Sequence, residues 1–254
     1  MDYERPYYED INYHPLLFYV VFGVEDEELN VSRERHHVDE FPEGLDMIFY
    51  KKSEHSEYMD SVLGGTLGEI LREDDPALYE AARNAEGWAV IRGEVKQDAD
   101  LNYMRNVIGF VQALVEKDAV GVLDLQTFTL YSAKDWTDNI FSKEFDAYDH
   151  AVILASQMGD GSVWLHTRGM RKFGRPDMSM EDVPPEDVEH AVQIVNQMIH
   201  YGALGVFFSQ PTKLHTHTGR TYIVKANFVE DFDDPDFNNS HYKILWKECQ
   251  LVEQ

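Results

Sequence analysis

Side chains suited to binding anions, ligating metals or moving protons concentrate in three places. HTRGMRKFGRPD (His166–Asp177) sets Arg168, Arg171, Lys172 and Arg175 within eight residues of an otherwise acidic chain. Arginine offers a planar donor fork to carboxylate or phosphate, and Gly169 and Gly174 let the backbone approach closely, so the segment reads as an anion pocket. Arg92, near the end of AVIRG (Ala89–Gly93), joins that set. A strand-to-helix loop that neutralises nearby acids is favoured over that pocket, since surface charge pairs are ordinary and weak. In LHTHTG (Leu214–Gly219), His215 and His217 fall on one side if the segment is extended. A first-row metal needs a third ligand, for which His166 and Asp124 are the candidates. Eleven histidines also make such a pair unsurprising by chance. Asp124 interrupts the apolar strand GVLDLQTF (Gly121–Phe128) and must be solvated, paired or functional. A structural pair with Arg92 is favoured over a catalytic acid, provided the two strands are neighbours.

Other signatures are missing. The chain has no G-x-S-x-G, no G-x-x-x-x-G-K-[ST], no H-E-x-x-H and no G-x-G-x-x-G. Cys249, the single cysteine, can form neither an internal disulfide nor a cysteine-based metal site, and its isolation argues against a nucleophile. VEDFDDPDF (Val229–Phe237) lacks the central glycine and terminal glutamate of a calcium loop, and reads as a solvated acidic segment suited to a basic partner. No catalytic residue and no cofactor is assigned, and a divalent metal is kept as the alternative.

The elements that must position these residues follow from periodicity. LLFYVVFGV (Leu16–Val24) and LDMIFY (Leu45–Tyr50) read as strands, separated by an acidic surface stretch. Apolar residues from Met59 to Leu71 recur at helical spacing over about Ser56–Arg72, but Gly64, Gly65 and Gly68 suggest close packing or a break. A short helix follows over Pro76–Asn84. Further on the chain echoes itself: the apolar stripe Met104–Val115 repeats at Val188–Ile199, and AVGVLDLQTFTL (Ala119–Leu130) overlies ALGVFFSQPTKL (Ala203–Leu214). Each helix is preceded by a strand ending in Arg-Gly, AVIRG and WLHTRG (Trp164–Gly169), and a further strand is expected at Ala151–Ala155. The expectation is an α/β (α+β) fold. It is built from two strand–helix–strand units in a duplicated, pseudo-twofold mixed-sheet arrangement, residues 1–142 and 143–254, packed as one body.

With 22 Lys+Arg against 47 Asp+Glu, the net charge of −25 disfavours nucleic acid and anionic lipid as general ligands. The longest apolar run is too short to span a bilayer, and the first ten residues lack the basic and apolar regions of a secretory signal. A reducing, cytoplasmic setting is expected.

HTRGMRKFGRPDMSM (His166–Met180) and GVLDLQTFTLYSAKDW (Gly121–Trp136) resemble segments of a group of uncharacterised bacterial α/β proteins classed as domains of unknown function. Some relatives in that group are suspected of belonging to toxin–immunity systems. The resemblance covers at most Gly87–Leu214 and implies a bacterial cytosolic setting, with no activity attached. The leading expectation is therefore a non-enzymatic binding protein whose acidic surface meets a basic protein. The alternatives are an anion- or metal-dependent enzyme using His166–Arg175 with His215 and His217, and a homo-oligomeric scaffold.

Overall fold

A computed structural model describes residues 3–25, 28–216, 219–228 and 239–251, the last four as backbone. His217 and the acidic segment Val229–Phe237 lie outside the described residues, as does the Cys249 side chain. The chain divides into two units, Met1–Glu4 with His14–Asp149, and Arg5–Tyr13 with His150–Gln254. Each has an α/β fold of its own. Among the described residues no helix is long and apolar enough to cross a membrane.

The first unit runs β1 (Leu16–Phe22), α1 (Arg33–His36), β2 (Leu45–Lys51), α2 (Lys52–Val62), α3 (Gly65–Asp74), α4 (Pro76–Asn84), β3 (Gly87–Glu94), α5 (Asn102–Val115), β4 (Gly121–Asp124), β5 (Thr129–Ser132) and α6 (Ala133–Trp136). Its sheet is antiparallel throughout, in the order β2-β3-β1-β4-β5. The uncharged run LLFYVVF takes the centre because both of its faces are covered. Val20 and Phe22 pack with Trp88, Val90 and Leu123 against Met59, Leu63, Leu71 and Tyr79 of the α2–α4 side. Alternation turns Tyr19 and Val21 to the opposite face, where α5 packs. The expected helix over Ser56–Arg72 is broken in two, since Gly65 adopts φ +59, a left-handed conformation that ends one helix and starts the next. Pro76 does open α4, behind an Asp75 side chain that accepts from the Leu78 amide at 2.9 Å.

The helix α5 joins β3 to β4, yet these strands are not neighbours. Both pair with β1, which lies between them. Register then decides the fate of the expected ion pair. Asp124 stands opposite Tyr19, whereas Arg92 stands opposite Phe18 and, on the outer strand, Asp46. Consecutive positions point to opposite faces, so Arg92 and Asp124 lie on different sides of the sheet and do not pair.

The second unit contains β6 (Val152–Gln157), β7 (Val163–Arg168), a tight turn at Met170–Phe173, β8 (Asp177–Val183), α7 (Val188–Ala203), β9 (Thr212–His215), β10 (Arg220–Asn227) and β11 (His241–Leu251). Its sheet has the order β6-β7-β8-β11-β10-β9, with β8 and β11 parallel and the other neighbours antiparallel. Here the expected duplication is not confirmed. Residues 204–211 form no strand, so only the end of the Ala203–Leu214 echo is extended, and the extra residues ahead of α7 build β8. The repeated apolar stripe on α5 and α7 reflects two helices each packing on a sheet, a requirement that yields the same pattern in unlike topologies.

Leu123 fills the space between β1 and the α2–α4 layer. Replacing it by Ala should lower the stability of the first unit by about 2–5 kcal/mol, read from the shift in its urea midpoint; a loss under about 1 kcal/mol would mean that the site is not a packed core.

Candidate functional site

The cationic segment is the interior of the second unit, not a surface loop. His166, Arg168, Lys172 and Arg175 are all buried, with Lys172 at 0% and Arg175 at 1% exposure, while Arg171 is partly exposed. Gly169 and Gly174 bracket the turn in left-handed conformations, folding it back beneath α7. The Arg175 guanidinium is committed to backbone carbonyls: Nη1 donates to Gly174 O at 2.6 Å, Nη2 to Gly205 O at 2.7 Å and Nε to Val206 O at 3.1 Å. Arg5, from the N-terminal strap of this unit, donates to Ala203 O at 3.1 Å and Phe173 O at 2.7 Å. Two arginines thus satisfy carbonyls at and just beyond the C-terminal end of α7, where the helix dipole also favours positive charge. His166 stacks on Trp164 at 4.3 Å between ring centroids. These roles are structural, and they replace the expected open anion pocket at Arg175. Arg92, in the first unit, is exposed and lies over the Phe18 ring.

One buried acid anchors this interior. Asp177 Oδ1 accepts from Thr167 Oγ1 at 2.7 Å and from the Met170 amide at 3.3 Å, and Oδ2 accepts from Asn239 Nδ2 at 2.7 Å. Burial pushes its pKa up from 3.8 to about 6, against the hydrogen bonds and the Arg168 charge, which pull it down. Asn239 Nδ2 also donates to Arg175 O at 2.9 Å, its Oδ1 accepts from the Tyr13 hydroxyl, and Ser240 Oγ donates to Tyr13 Oη at 3.1 Å.

His166 and His215 do not converge. His166 is on β7 and His215 on β9, four strand positions apart in the sheet, or roughly 19 Å at about 4.8 Å per strand. His215 is exposed, with Nδ1 2.9 Å from the cross-strand Thr221 Oγ1. Among the described residues no three His, Cys, Asp or Glu side chains are grouped to hold a metal. Asp124 is buried in the first unit, accepts from the Gln126 amide at 2.9 Å, and raises the pKa of Tyr19 and Tyr131, although burial is the larger cause in both.

One surface feature carries no signal in the sequence motifs. In the first unit a groove of about 370 Å³ is rimmed by Asp39, Glu40, Glu43 and Asp100, with Phe41 and Tyr103 among its lining. Asn106 Oδ1 accepts from the Asp39 amide at 3.0 Å, and the Asp39 carboxylate pairs with Arg33 and Arg105. Phe41 sits edge-on to Phe110 at 4.9 Å. Glu40, Glu43 and Asp100 are exposed. Comparison with protein-family models, curated proteins and solved structures finds no match to this chain.

Two outcomes follow from the interior. Since Asp177 holds its proton more tightly folded than unfolded, it favours folding most below about pH 4 and least above about pH 6. Its contribution to stability should fall by up to about 3 kcal/mol as pH rises through that window. Urea midpoints measured between those pH values should show this slope in the parent and lose it in Asp177→Asn; an equal slope in both would remove the assignment. Arg175→Lys should destabilise the second unit by about 2–4 kcal/mol in the same assay, because an ammonium cannot reproduce the three-carbonyl fork.

Proposed function

We propose that the protein is a non-enzymatic binding protein of the cytoplasm that uses the acidic face of its first unit to hold a basic segment of another protein. The observation that carries this reading is the groove at Asp39, Glu40, Glu43 and Asp100. Support comes from the distribution of charge: the first unit has twelve Lys and Arg against 31 Asp and Glu, a net −19, and the second has ten against 16, a net −6. Three exposed carboxylates beside an aromatic side chain suit a Lys- or Arg-rich segment, whose stems pack on Phe41 while the charged heads reach the rim. A basic effector neutralised by an immunity-type partner is one class that fits. The enzyme alternative draws less support, because Arg175 is occupied by backbone carbonyls and His166 and His215 are far apart.

A Lys/Arg-rich peptide titrated by calorimetry should bind at low salt and weaken steeply as salt rises. The triple variant Glu40→Gln/Glu43→Gln/Asp100→Asn should weaken it roughly 10-fold, with Asp39 left intact to keep its structural pairs. Binding by the variant at parental strength would overturn the assignment of this groove.

A further inference from the structure

A second cavity, in the second unit, has the opposite character. It measures about 390 Å³ and is lined by Ile11, Asn12, Tyr13, Phe207, Phe228 and Ser240. None of these six side chains carries a charge, although 27% of the chain's residues do. Phe207 and Phe228 stack at 5.6 Å with 17° between their planes, and Phe228 is half exposed. An outward aromatic pair of this kind offers a flat apolar wall. The volume lies in the range of small-molecule sites.

The polar end of the cavity has a fixed sense. The Asn239 amide nitrogen donates to the Asp177 carboxylate and to Arg175 O, so its oxygen faces Tyr13 and the Tyr13 hydroxyl donates to it. Ser240 in turn donates its only proton to Tyr13 Oη. What Ser240 Oγ retains is lone pairs, so it can only accept from a ligand. The buried carboxylate thereby draws every proton of the chain inward and leaves lone pairs at the cavity wall.

We propose that this cavity binds an uncharged, planar aromatic molecule bearing one N–H or O–H donor, with the ring against Phe228 and the donor on Ser240 Oγ. The site is separate from the acidic groove of the first unit and takes a different class of ligand.

Indole and benzofuran test the proposal, being alike in shape while only indole has a donor. Titrated into the full chain and followed by ligand-observed NMR, indole should bind roughly 10-fold more tightly than benzofuran, and indole-3-carboxylate more weakly than indole. Ser240→Ala should bring the indole-to-benzofuran ratio close to one. Phe228→Ala should weaken both ligands roughly 10-fold with an unchanged melting curve, because that ring is half exposed. The proposal fails if benzofuran matches indole, if neither binds at millimolar concentration, or if Phe228→Ala leaves binding intact.

Discussion

The second unit depends on placing four cations inside a protein. Arg5, Arg168, Lys172 and Arg175 are each at most 5% exposed, and Asp177 is the buried acid among them. Isolated buried charges are costly, so such an interior persists only where the charged groups find good hydrogen-bond partners. Arg5 and Arg175 find them in carbonyls around the end of α7, which a short polar side chain could not reach from the neighbouring turn and strap. Asp177 and Asn239 then tie the start of β8 to the start of β11, the parallel pair at the middle of the sheet, and Tyr13 fastens the strap to the same point. Gly205, with φ +102, allows the chain to turn at the carbonyl that Arg175 holds.

That arrangement sharpens the charge of the surface. With four cations withdrawn from solvent, the accessible face of the second unit is more acidic than its composition, and the exposed charge of the molecule is dominated by carboxylates. The acidic groove of the first unit belongs to this surface. The uncharged cavity beside Ser240 stands apart from it, and its polarity is inherited from the buried network behind it.

Local pattern made much of the architecture legible. The strands at Leu16–Phe22 and Leu45–Lys51, the helix at Pro76–Asn84 and the two amphipathic helices α5 and α7 follow from apolar spacing and from Pro76, all properties of short windows. Pairing was not legible, because β1 inserts between β3 and β4 from 65 or more residues away, and this put Arg92 and Asp124 on opposite faces. The basic segment was conspicuous in composition, yet its burial depends on Arg5, Tyr13 and Asn239, with Arg5 reaching Phe173 from 168 residues away and no local signal to announce it. The groove likewise joins the acidic stretch ahead of β2 to the loop and first turn of α5, which lie far apart in sequence. Of the LHTHTG pair only His215 lies among the described residues, and it stands on an edge strand far from His166.

Burial of the basic segment is open to test by arginine modification with phenylglyoxal, read residue by residue by mass spectrometry. Arg33 and Arg35, with side chains 81% and 68% exposed, should label rapidly in the native protein. Arg5, Arg168 and Arg175 should remain unlabelled until denaturant unfolds the second unit. Native-state labelling of Arg168 and Arg175 at the rate of Arg33 would contradict the account and restore an open cationic site.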